Sequence, residues 1–115
     1  MKKQKILIVD DSEMNRSLLI DILENQYDIV EANNGAEAIT ILSQHRTDFS
    51  LLLLDIMMPE MDGFEVLAYI KKHHWDDTFA IIMISADNST TNIKHAYDLG
   101  AFDYIGRPFD SAIVH

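Results

Sequence analysis

Four consecutive leucines, Leu51–Leu54, run without a polar break and stop at a carboxylate, Asp55, with Met57-Met58-Pro59 just beyond. A strand with one wet face alternates apolar and polar residues. An unbroken apolar run closed by a turn signal reads instead as a strand buried on both faces. A sheet covered by helices on each side provides that burial. The rest of the chain repeats the theme. Apolar runs at Lys5–Val9, Tyr27–Ala32, Ser50–Leu54, Phe79–Ile84 and Phe102–Ile105 alternate with segments of helical spacing. One apolar stripe comprises Met14, Leu18, Leu19, Ile22 and Leu23, and a second Ala38, Ile39, Ile41 and Leu42. Phe64, Leu67 and Ile70 make a third, and Ile93, Ala96 and Tyr97 a fourth. Ser12 is placed to cap the first helix, Asn34-Gly35 turns into the second, Asp62-Gly63 opens the third and Gly100 closes the fourth. Strands alternating with amphipathic helices predict an α/β chain with a doubly wound, five-stranded parallel sheet, and right-handed crossovers restrict it to a few strand orders.

At 115 residues the chain holds one domain and one core. Its net charge of −10 argues against unaided nucleic-acid binding, which needs a basic face to displace counterions, and against docking on an anionic membrane. With no cysteine there is neither a disulfide frame nor a thiolate metal site, which fits a cytoplasmic setting. The basic start Lys2-Lys3-Gln4-Lys5 precedes an apolar run that stops at Asp10, too short for a signal-peptide core or a membrane span. At the other end, Asp110 or Ser111 looks like the cap of a helix whose body is missing, since only Ala112 to His115 follow. The expectation is a domain spanning residues 1–115 that is the N-terminal fragment of a longer protein, its last helix truncated.

In an open parallel sheet, functional groups collect outside the carboxyl ends of the strands. Here those ends carry Asp10-Asp11, Asp55, Ser85-Ala86 and Arg107. Two buried strands that each end in carboxylate predict one shared acidic site. Such a site needs a cation, and a cation beside a free carboxylate is a place for phosphoryl chemistry.

These residues, with the stretch Asp55 to Gly63, with Tyr104 and with Arg107-Pro108-Phe109, resemble the receiver domain of two-component response regulators over nearly the whole chain. The resemblance implies the flavodoxin-like strand order 2-1-3-4-5, which the general rules for doubly wound sheets already illustrate with a chemotaxis receiver. It implies that Asp55 accepts a phosphoryl group from a sensor histidine kinase or phosphotransfer protein. Mg²⁺ is then held directly by Asp11, Asp55 and the backbone carbonyl of Met57, with Asp10 acting through water. Ser85 and Arg107 contact the phosphoryl group, and Ser85 and Tyr104 act as the switch. The resemblance further implies a face, built by the fourth helix, fifth strand and fifth helix, that pairs receivers as a homodimer or engages an output domain C-terminal to this segment. The Arg-Pro-Phe-Asp tail resembles receivers fused to cyclic-dinucleotide enzymes. One position departs from the pattern: most receivers carry lysine where this chain has Arg107, and a planar guanidinium is not equivalent to an ammonium at a phosphate site.

Other readings stay open at this point. A pseudo-receiver would keep the fold as a phosphorylation-independent interaction module, and Arg107 is its support. A phosphatase of the haloacid dehalogenase type needs Asp-x-Asp, whereas Met57 stands two residues after Asp55. A flavodoxin-like cofactor binder needs a hydroxyl- and glycine-rich loop after the first strand, where this chain has Asp10-Asp11-Ser12-Glu13. The histidines lack metal-binding spacing and read as solvated; the adjacent pair His73-His74 diverges by about 100° on a helix.

Overall fold

The computed structural model describes residues 4–56, 58, 60–75, 77–85, 94, 97–98 and 103–106; for Ser85 and 103–106 the backbone alone is described. Strands β1 (Gln4–Val9), β2 (Tyr27–Ala32), β3 (Phe49–Asp55), β4 (Ala80–Ser85) and β5 (Asp103–Gly106) form one sheet in the order β2-β1-β3-β4-β5. Every pairing is parallel. Helices α1 (Glu13–Leu23), α2 (Gly35–His45) and α3 (Gly63–Lys72) make the connections among the first four strands, with a 3₁₀ turn at Arg46–Asp48. Lys94, Tyr97 and Asp98, between β4 and β5, are helical.

The starts of the three helices follow their capping residues. The side chains of Ser12, Asn34 and Asp62 each accept from the backbone N–H three residues on. This satisfies a donor that the first helical turn leaves without an internal partner.

Alternation along the strands divides the core in two. Leu7, Val9, Leu52, Leu54, Ile81 and Met83 pack with Ala38 and Leu42 of α2 and Val66, Leu67 and Ile70 of α3. Ile6, Ile8, Leu53 and Ile84 pack with Leu19 and Leu23 of α1. Both faces are therefore buried, as the leucine run requires. The apolar stripe of α1 is a correction to the expected core. Leu19 and Leu23, four apart, turn inward, but Met14 is 74% exposed and Leu18 49%. Leu18 sits about 100° around the helix from Leu19, on the side of α1 turned away from the sheet. Tyr97 is also largely exposed, while Ile93, Ala96 and Gly100 lie outside the described residues. So does the expected last helix.

Trp75 is buried after α3, with Tyr69 stacked on His73 beside it at 4.1 Å between ring centroids and the Arg46 guanidinium over its ring at 5.2 Å. His74 takes a left-handed backbone, φ 59°, which ends the helix. Among the described residues, no helix is long and apolar enough to cross a membrane.

Candidate functional site

The carboxyl ends of β1 and β3 are adjacent because their strands pair directly, Val9 opposite Leu54. One step beyond that pair stand Asp10 and Asp55. The apolar strands carry both carboxylates to a depth normally reserved for leucine: Asp10 is 1% exposed and Asp55 2%. Asp11 is exposed at the mouth. Each of the three offers an oxygen, and these oxygens all lie within 4.8 Å of one another.

Local contacts hold the acidic loop in place. The Asp10 N–H donates to the Ala32 carbonyl at 3.2 Å, tying the loop to the end of β2. Asp10 Oδ1 accepts from the Ser12 N–H at 2.9 Å. The Asp10 carbonyl accepts from Arg16 Nη1 at 2.7 Å. On the other strand, the Ile56 N–H donates to the Ile84 carbonyl at 3.1 Å, which keeps the chain in the sheet just past Asp55. The first residue of α3 then closes down on this stretch: the Gly63 N–H donates to the Ile56 carbonyl at 2.9 Å. A Cβ on Gly63 would meet the Asp55 carbonyl oxygen and would stand 2.8 Å from the Ile56 Cα. Only glycine permits that approach. Glu60, in the loop between, has a φ of 67°, the left-handed region in which a non-glycine residue is uncommon.

Three carboxylates at this spacing are mutually repulsive, on the order of 4 kcal/mol per unit-charge pair at about 4 Å and an effective dielectric of 20. Their donor set is all hard oxygen. Opposite ligands of an octahedral Mg²⁺ stand roughly 4.2 Å apart and adjacent ones roughly 3 Å, so oxygens within 4.8 Å of one another need only a small side-chain adjustment to share one divalent ion. An acidic triad of this kind is typical of Mg²⁺ sites. The convergence expected of Asp10, Asp11 and Asp55 is present.

Ser85 ends β4, and its backbone registers with Gly106; its neighbour Ile84 registers with Asp55. Tyr104 registers with Met83. The strand end that carries Ser85 thus lies beside Asp55, and β5 beside that. Met57 and Arg107 lie outside the described residues, as do the side-chain positions of Ser85 and Tyr104. Sequence reasoning missed Arg16, whose grip on the Asp10 carbonyl crosses from α1 back to the loop. An arginine in the second turn of an exposed helix gives no signal of that kind.

The family model for the response regulator receiver domain matches residues 6–115. The chain belongs to the receiver family. It is a phosphoacceptor signalling module rather than a conventional enzyme. Among relatives, it is 40% identical over 106 residues to the transcriptional regulatory protein SrrA of Staphylococcus aureus, covering 91% of this chain and 42% of that protein. The receiver therefore spans less than half the length of that relative. Among solved structures, it superimposes with a TM-score of 0.90 and 34% identity on a chain from the CheX–CheY–BeF₃–Mg²⁺ complex of Borrelia burgdorferi, covering 96% of this chain and 83% of that one. A putative two-component response regulator/GGDEF domain protein matches with a TM-score of 0.87 and 30% identity, covering 96% of this receiver and 45% of that chain. Receiver domains interact with kinases, and the Staphylococcus and GGDEF relatives carry theirs within longer chains.

Proposed function

We propose that Asp55 is the phosphoacceptor and that the observation carrying this is its burial at the tip of β3 within reach of Asp10 and Asp11. In this reading Asp11, Asp55 and the Met57 carbonyl hold Mg²⁺ directly, with Asp10 orienting a bound water. When bound, the cation neutralises the charge that gathers on the carboxylates and the phosphoryl oxygens. Asp55 presents one carboxylate oxygen to the phosphorus of a phosphohistidine. The oxygen–phosphorus bond forms as the phosphorus–nitrogen bond breaks, and the departing imidazole nitrogen retains its electron pair and takes up a proton. The Gly63 N–H, bonded to the Ile56 carbonyl, ties the start of α3 to the backbone just past Asp55. Ser85, by its place in the register, supplies a hydroxyl to the acyl phosphate, and Arg107 supplies the opposing charge. Drawing Ser85 inward makes room for the Tyr104 ring, and this exchange is the switch.

The donor is a sensor histidine kinase or a phosphotransfer protein. Met14 and Leu18 support this: they are exposed, four apart on α1, and begin two residues past Ser12 at the mouth of the site. An apolar pair at this spacing suits a helical partner that brings its histidine to Asp55. The switched face serves a homodimer or an output domain following residue 115. Relatives named for transcriptional regulation and for GGDEF domains make a DNA-binding or a cyclic-dinucleotide output the two forms of this proposal. A cytoplasmic setting belongs to it, and a chain without cysteine has no disulfide to lose there.

The test is chemical. Wild-type protein incubated with Mg²⁺ and acetyl phosphate gains one phosphoryl group by intact mass, and Asp55→Asn gains none. A wild-type chain that stays unlabelled while a control receiver labels is a pseudo-receiver, and the proposal falls. Mg²⁺ at 100 times its dissociation constant raises the stability of the folded state by about 2.7 kcal/mol. A melting curve indifferent to Mg²⁺ refutes the metal assignment.

A further inference from the structure

Arg16 is exposed over only 13% of its side chain although it lies on a surface helix. Its guanidinium donates three hydrogen bonds to two other stretches of chain, the loop after β1 and the end of β2. Nη1 donates to the Asp10 carbonyl at 2.7 Å and to Asn33 Oδ1 at 3.1 Å, and Nε donates to Glu31 Oε1 at 3.0 Å. The bond to Asp10 is short for a neutral acceptor, as expected when the donor is charged. Glu31 is in β2 and Asn33 just beyond it, so the arginine bridges that strand's end to the loop that bears two of the three carboxylates.

We propose that Arg16 is a positioning residue for the acidic pocket, which it serves by fixing the peptide between Asp10 and Asp11. The proposal rests on the reading of that pocket as a divalent-cation site. A trans peptide is planar, so a carbonyl held in one direction also fixes the N–H of the next residue in the opposite one. Asp10 is thereby restrained at its N–H by Ala32, at its carboxylate by Ser12 and at its carbonyl by Arg16. Of these restraints, the carbonyl bond is the one that reaches forward into Asp11. Asp11 is the exposed member of the triad, so its aim depends on the backbone that carries it more than on packing around it. The charge of Arg16 is already matched by Glu31, so its effect on the pocket is geometric. Lysine lacks the planar fork that serves the Glu31, Asn33 and Asp10 acceptors together.

The experiment measures Mg²⁺ binding calorimetrically, without phosphodonor and well below the melting temperature, in wild type, Arg16→Met, Arg16→Lys and Asn33→Ala. Far-ultraviolet circular dichroism confirms that each is folded. The expected result is a loss of affinity of roughly 10-fold or more in Arg16→Met, the scale seen when groups that orient metal ligands are removed. Arg16→Lys does not restore it, and Asn33→Ala gives a smaller loss. In metal-free protein, the Asp11 amide of Arg16→Met exchanges faster with solvent than in wild type. Arg16→Met that melts lower yet binds Mg²⁺ as wild type overturns the proposal, since the role is then structural. Wild-type affinity in Arg16→Lys overturns it too, because charge alone would suffice. Should Arg16→Met fail to fold, Asn33→Ala decides, and an unchanged affinity and Asp11 exchange rate there overturn the proposal. A wild-type chain that takes no Mg²⁺ refutes the underlying metal assignment instead, so the two failures read differently.

Discussion

The bodies of β1 and β3 and their tips are buried to the same extent and do opposite things. Ile6 to Val9 and Leu52 to Leu54 are at most 2% exposed, and the next residues, Asp10 and Asp55, are no more accessible. Burying each leucine or isoleucine contributes about 1.5–3 kcal/mol to the fold. Burying a carboxylate opposes folding unless hydrogen bonds or a counterion offset it. The change happens within one residue on each strand. The lesson is that the apolar bodies set the depth and spacing at which the carboxylates meet, and like charges so close together favour a cation between them.

The sharpest way to break this comparison is to mutate one residue of each kind in the same strand. Leu52→Ala, in the core between the sheet and α2 and α3, lowers stability by about 2–5 kcal/mol. At temperatures where it remains folded it still labels with acetyl phosphate. Asp55→Asn does the reverse. It abolishes labelling, and in Mg²⁺-free buffer it raises stability by about 1–2 kcal/mol, a fraction of the repulsion estimated for one close pair of carboxylates. Urea melts of the two variants beside wild type read both signs. A Mg²⁺-free Asp55→Asn protein that is less stable than wild type contradicts the contrast.

Gly63→Ala probes the place where body and tip meet. Its methyl group would enter the Asp55 carbonyl and crowd the Ile56 Cα, both rigid backbone. The start of α3 must back away, at about 1–3 kcal/mol, the usual scale of overpacking. Because the displaced backbone carries Asp55, Mg²⁺ affinity falls in the same variant. A stability loss with unchanged affinity would show that the helix moves and the nucleophile stays.

The parallel sheet, the three helix starts and the acidic triad were legible because each depends on short-range or periodic features, whereas the strand order came from the resemblance to receivers. Leu51–Leu54 announces a doubly buried strand, Ser12 and Asp62 are cap residues in sequence before they are caps in space, and two carboxylates at the ends of neighbouring strands have nowhere else to converge. The outward turn of Met14 and Leu18 was not legible. The stripe on α1 is wider than the strip of sheet beneath it, and periodicity gives a helix face without giving the width of its partner. Arg16 was hidden for another reason: its partners lie in two other segments, Asp10 after β1 and Glu31 and Asn33 at the end of β2, and an arginine's reach carries no pattern. The histidines were read as solvated, and His73 is indeed exposed, yet it stacks on Tyr69. Tyr69 and His73 are four apart, the spacing of neighbours on one helix face, so the contact was open to the sequence, and a reading of the histidines for metal ligands alone passes over it.

The smallest expected effect tests whether the loop of the site and the helix beside it are separable. Ser12 serves both: its side chain caps α1 by accepting from the Asn15 N–H at 3.3 Å, and its backbone N–H holds Asp10 Oδ1 at 2.9 Å. Ser12→Ala removes the first contact and keeps the second. The stability loss is about 1 kcal/mol, the usual worth of an N-cap, and Mg²⁺ affinity stays within about 2-fold of wild type, less than 0.5 kcal/mol on the binding scale. Thermal melts and calorimetry on the same samples check the pair of values. An affinity loss comparable to that of Arg16→Met would mean that the cap, rather than the backbone contacts of Asp10, sets the aim of the acidic loop, because the frayed first turn would then carry Asp11 with it.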